Sequence, residues 1–112
     1  MHFSQCGGSE LVDRLLNRRR NGFFVESGAF DGEHLSDTLF FEMRRNWTGI
    51  LIEPHPEYHR SILQKNRNAL VLRACLSTRP LLAKFRYCQQ GLKNPFLCPD
   101  GRVATGEGRL AQ

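Results

Sequence analysis

Three short apolar runs punctuate the chain, and between them apolar residues recur at helical spacing. Phe23-Phe24-Val25, Gly49-Ile50-Leu51-Ile52 and Ala69-Leu70-Val71-Leu72 do not alternate with polar residues. Strands buried in a parallel sheet read this way. Ahead of the first run, Leu11, Val12, Leu15 and Leu16 fall on one face of a helix predicted over about 10–20. Ser9 is its candidate cap, Arg18–Arg20 occupy its last turn, and Asn21-Gly22 stops it. Between the first two runs, Leu35, Leu39 and Met43 recur every four residues with Phe40 beside them. That spacing predicts a helix over about 34–45, ended by Asn46. After the second run, Pro54 terminates the strand, while Pro56 and Glu57 suit the first turn of a third helix. Tyr58, Ile62 and Leu63 make its inward face, and Lys65–Asn68 close it. Later, Ala83, Phe85 and Tyr87 alternate with Lys84 and Arg86, which predicts a half-exposed edge strand near Lys84–Tyr87. From Gly91 the periodicity is lost, and a Gly- and Pro-rich tail is expected to be poorly ordered.

Alternating helices and strands predict an α/β fold with a Rossmann-like parallel sheet flanked by helices. Right-handed crossovers are expected to place those helices on both faces. The chain divides into a lead-in helix over 1–22, a partial domain over 23–90 and the irregular tail over 91–112. Its 112 residues hold three βαβ units of about 30 residues each, but not a doubly wound sheet of six or seven strands. The sheet is therefore expected to be truncated after the third or fourth strand.

Composition changes this picture little: 40% hydrophobic and 24% charged residues suit a globular chain. Charge changes it more. The formal net charge is +5, yet residues 23–58 carry seven acidic and only two basic side chains. The basic excess lies elsewhere and is dispersed among apolar residues; its only run, Arg18–Arg20, is explained by a helix end. Nucleic acid is therefore not an expected partner. Cys6, Cys75, Cys88 and Cys98 form no CxxC pair, which argues against a zinc site. Free thiols are the default, with Cys75 expected to be buried, although the spacing leaves disulfides open. The chain shows no signal peptide and no apolar stretch long enough to span a membrane, which gives a cytoplasmic default.

Ligands of such sheets bind outside the carboxyl ends of the strands. The first end reads Glu26-Ser27-Gly28-Ala29-Phe30-Asp31-Gly32. Gly28 and Gly32 permit positive φ and close approach of a ligand, while Glu26 and Asp31 repel phosphate and favour a cation, hydroxyl or amine. At the second end, Glu53 lies 25 residues beyond Gly28. An acid at that spacing offers two acceptor oxygens to the vicinal hydroxyls of a ribose. A solvated acid before a turn is the plainer alternative. Together the two ends describe a nucleoside with no phosphate at the loop, and S-adenosylmethionine fits. A dinucleotide fits less well, because no glycine trio faces a helix N-terminus.

The blocks Gly22–Glu33, Leu35–Leu39, Trp47–Pro54, Asn66–Ala69 and Ala74–Ser77 resemble the FkbM-type methyltransferase family, and most of all its animal subgroup of Star-like proteins. The resemblance spans about residues 20–87. It implies a class I, Rossmann-like O-methyltransferase domain with S-adenosyl-L-methionine as cofactor. It places Glu26, Gly28, Ala29, Asp31 and Gly32 around the methionine part, Glu53 on the ribose, and Ala74, Cys75 and Leu76 near the adenine. The acceptor it implies is a small-molecule or glycan hydroxyl. The acidic strand end that follows in the family has no counterpart here, so the acceptor side is missing and no catalytic residue is assigned. Star-like members are associated with trafficking between endoplasmic reticulum, Golgi and endosomes. That alternative makes the chain a non-catalytic module with protein partners, anchored by a membrane segment it does not itself contain.

His34, His55 and His59 flank the same edge, but Pro56 starts a helix after His55 and spoils an i, i+4 metal pair. No metal is expected. Ser36 and Thr38 serve either a ligand carboxylate or the start of the second helix. Asn46-Trp47-Thr48 is a glycosylation sequon that matters only in a secretory lumen, and Trp47 is expected to pack on the sheet. Phe40 and Phe41 are expected in the core.

Overall fold

The computed structural model describes residues 2–76 of the chain. The three apolar runs form strands β1 (Phe23–Ser27), β2 (Thr48–Ile52) and β3 (Ala69–Leu72). They pair in parallel, in the order β1-β2-β3. Helices α1 (Gly8–Leu15), α2 (Leu39–Arg45) and α3 (Pro56–Gln64) precede β1, join β1 to β2, and join β2 to β3. This is the α/β architecture with a parallel sheet. The expected edge strand near Lys84–Tyr87 and the tail lie outside the described residues.

Register explains why the strands sit where they do. Phe24 pairs with Gly49, and Gly49 with Ala69. A Cβ on Gly49 would fall on the carbonyl oxygen and the ring of Phe24, so only glycine lets the two strands meet there. The core is Phe24, Ala29, Leu51 and Ile62, with Trp47, Ala69 and Val71 packed against it. Trp47 thus packs on the sheet as expected.

Among the described residues the two crossover helices, α2 and α3, fall on one side of the sheet, where the expectation was helices on both. The order β1-β2-β3 steps twice in one direction, and right-handed crossovers of that kind put α2 and α3 on the same side. The other face carries Phe23, Val25, Ile50, Ile52, Leu70 and Leu72; Phe23, Val25 and Leu70 are 62%, 56% and 59% exposed, while Ile52 is buried.

The helices differ from expectation for local reasons. α1 starts earlier and ends sooner than 10–20. Asn17 and Arg18 turn left-handed (φ 50° and 55°), and the Arg18 N–H donates back to the Asp13 carbonyl at 2.8 Å. This 6→1 bond closes the helix. Its apolar residues Leu11, Val12, Leu15 and Leu16 lie on the surface, and the polar pair Ser9 and Asp13 is buried. Ser9 is inside the helix rather than capping it, bonded through Oγ to Ser4 and His2. Asp13 takes both Nε and Nη2 of Arg45 at 2.7 and 2.6 Å, and that guanidinium holds its carboxyl below the usual range. α2 begins at Leu39, not near 34, and Asn46 ends it at φ 57°. Leu39, Phe40 and Phe41 are buried, but Met43 is on the surface. α3 starts at Pro56 as predicted; Ile62 is fully buried, Tyr58 is half-buried, and Leu63 faces outward. Cys75 is exposed and free, which overturns its expected burial, and Cys6 is disulfide-bonded. No helix of the described residues is long and apolar enough to cross a membrane.

Candidate functional site at the carboxyl edge of the sheet

The loop after β1 is drawn over the end of β2. The N–H groups of Gly28 and Ala29 both donate to the Ile52 carbonyl, at 2.8 and 3.1 Å. Positive φ at Gly28, Phe30 and Gly32 (77°, 53° and 79°) folds the loop back on itself. Phe30 is the strained member, since a bulky residue rarely adopts this conformation. At Gly32 a Cβ would press on Ile62 of α3, whereas at Gly28 it would meet nothing within 4 Å. Gly28 therefore borders open space, and Gly32 is the close approach of loop to helix.

Glu53 holds this strained loop in place. Its Oε2 accepts the Phe30 N–H at 2.8 Å, and its Oε1 accepts the His55 N–H at 2.9 Å. The Glu53 N–H donates to Leu72 of β3, so one residue joins all three strand ends. It is 4% exposed, deeper than a solvated acid before a turn would lie. Asp31 Oδ1 accepts the N–H groups of Glu33 and His34 at 3.0 and 2.7 Å, which closes the next turn.

Glu26 organises the approach to α2. Its carboxylate accepts the Ser36 hydroxyl and the Asp37 N–H, both at 3.0 Å, and the Thr38 hydroxyl. Ser36 Oγ in turn accepts the N–H groups of Thr38, the N-cap residue, and Leu39, the first helical residue, at 3.3 and 3.1 Å, which fixes the start of the helix. Of the two roles expected for Ser36 and Thr38, the structure shows the start of the helix. Glu26's demand on residues 36–38 is also why helix does not extend back to 34.

Beside Glu26, burial and the neighbouring Glu26 charge push the Asp37 carboxyl up. A raised carboxyl favours the protonated form in the fold. Its stabilising effect is present below the ordinary value of 3.8 and is lost as pH rises through the raised one. Asp37→Asn is therefore expected to raise thermal stability at pH 7, by no more than about 0.5 kcal/mol because the carboxyl is only partly desolvated and water screens it. Melting curves at pH 7 and pH 3 check this: the gain should vanish at pH 3.

Glu26, Gly28, Ala29, Asp31, Gly32 and Glu53 thus meet along one edge. Ala29 turns its side chain into the core rather than toward a ligand. Ala74, Cys75 and Leu76 follow β3, two strands away from β1, and are exposed. Two further features carry no local sequence signal. Phe30, Tyr58 and His55 form an aromatic row with ring centroids 4.4 Å apart, and His55 Nδ1 accepts the Glu57 N–H at 3.3 Å. Arg67, whose side chain is 3% exposed, donates to Glu42, to the Gly32 carbonyl and to Thr38 Oγ1. Its partners lie 25 to 35 residues earlier in the chain.

Comparison of the chain with protein-family models, with curated proteins and with solved structures gives no match.

Proposed function

We propose that this edge binds S-adenosylmethionine, as the cofactor-binding portion of an FkbM-type O-methyltransferase. The observation that carries the reading is the meeting of two sequence blocks. The glycine loop, with open space at Gly28, is hydrogen-bonded to the acid that ends β2. Glu26, Asp31, Asp37 and Glu53 make the edge acidic, which suits a cationic nucleoside and disfavours a phosphate. The bound cofactor would supply an electrophilic methyl group for a substrate oxygen. The chain's own part is positioning. Gly28 lets the ligand close on the backbone, and Glu53 offers acceptors to the ribose. Because Glu53 is buried and bonded to Phe30, gripping a ribose requires it to exchange the Phe30 N–H for a hydroxyl. That exchange costs about 0.5–1.5 kcal/mol of the affinity.

Calorimetric titration of the chain with S-adenosylmethionine tests the reading. Binding is expected, and Glu53→Ala is expected to weaken it by about 1–3 kcal/mol, roughly 5- to 150-fold. Unchanged affinity in Glu53→Ala would leave this acid as a loop latch only. Tight NADH binding without S-adenosylmethionine binding would point to a dinucleotide site instead.

The second reading, a non-catalytic Star-like trafficking module, draws on the same carboxylates, since Glu26 and Glu53 already serve the fold through their own chain. Absence of S-adenosylmethionine binding by the folded chain would favour it.

A further inference from the structure

The face of the sheet opposite the core is largely apolar, and apart from Ile52, which is 5% exposed at its carboxyl end, it lies mostly open. Val25, Ile50 and Leu70 lie side by side across the three strands in register, with Phe23 and Leu72 at its corners. Ile50 is half-buried and the other four are exposed. Strands of a parallel sheet are normally covered on both faces, and a contiguous apolar patch left open marks a contact surface.

We propose that the occupant is the chain's own segment 77–112, with the apolar side chains of Leu81, Leu82, Phe85 and Tyr87 against the sheet. Continuity is the first argument. The 36 residues from Ser77 to Gln112 follow the end of β3 after the four residues 73–76. Reach is sufficient, because the five residue steps from Leu76 to Leu81 allow a span of about 17 Å.

The size of the patch is the second argument. Five apolar residues fall well short of the roughly 20–30 per partner in a standard interface between separate chains. A second copy in free solution gains little from so small a surface. A tethered segment meets it at millimolar effective concentration and needs far less.

Charge is the third. Segment 77–112 carries six basic and two acidic side chains, and residues 23–58, which include β1 and β2, carry the reverse bias of two and seven. The two parts of the chain attract one another, while two copies of the acidic part repel.

The test places the photo-crosslinking residue p-benzoylphenylalanine at Val25, and separately at Leu70, in the full chain. Each protein is mixed with an equal amount of unmodified ¹⁵N-labelled full chain before irradiation. The circular dichroism and melting point of each must match those of the unmodified protein. Two positions are used so that one misfolded variant does not end the test. Peptide mass spectrometry is expected to find cross-links to residues 77–112, in pure-isotope products only. Cross-links into the differently labelled copy would overturn the proposal in favour of a dimer face. Cross-linking confined to residues 2–76, or none at all, would overturn it too.

Discussion

Arg67→Ala is expected to cost about 3–5 kcal/mol of folding stability, because it removes one partner of a buried ion pair and leaves the rest unpaired. Nε of Arg67 donates to Glu42 Oε2 at 2.7 Å, one Nη to the Gly32 carbonyl, and the other to Thr38 Oγ1 at 3.0 Å. One planar group thus ties α2, the loop after β1 and the lead-in to β3. The loss is a large part of the roughly 5–15 kcal/mol that holds a typical domain. Arg67→Lys should recover little of it, since an ammonium cannot address three acceptors in one plane. Urea unfolding of the three proteins checks this. A loss below about 1 kcal/mol in Arg67→Ala would show that water satisfies the same acceptors. The variant should also loosen residues 32–38 before the sheet, visible as faster amide exchange there.

Why this hub was not legible is a matter of range. Strand positions follow from contiguous residues, so Phe23–Val25, Gly49–Ile52 and Ala69–Leu72 were readable from the sequence, as was the start of α3 at Pro56. A run without alternation says that a strand is apolar, but not whether each face has a cover. Hence the placement of α2 and α3 on one side was not legible in those runs. Helical spacing at Leu35, Leu39 and Met43 is equally local, and it lost to Glu26, which binds three groups from Ser36 to Thr38. The apolar stripe of α1 lost to Ser9 and Asp13, whose burial depends on His2, Ser4 and Arg45. At the site, the spacing of Gly28 and Glu53 located two strand ends that do meet. It carried no information on Glu53 facing inward to Phe30, because that choice is made by a backbone N–H in the loop.

Ile62→Ala is the other large expected effect, and its coupling to Gly32 explains how the loop is held. Ile62 is 0% exposed, so its truncation should cost about 2–5 kcal/mol from lost burial and the cavity left behind. Its Cγ2 and Cγ1 lie 3.1 and 3.2 Å from where a Cβ on Gly32 would stand. Gly32→Ala alone therefore carries two penalties. One is about 1–2 kcal/mol for an L-residue at φ 79°. The other is about 1–3 kcal/mol for crowding a packed helix. In the Ile62→Ala background the crowding disappears and only the backbone penalty is left. The double variant should then be more stable than the sum of the single losses by about 1 kcal/mol or more. A double-mutant cycle by chemical denaturation measures that difference directly. Strict additivity would mean that Gly32 is required for its conformation alone, and that the loop below Gly28 is shaped by backbone geometry and not by α3. A coupling of the expected size would make α3 the support on which the whole edge rests.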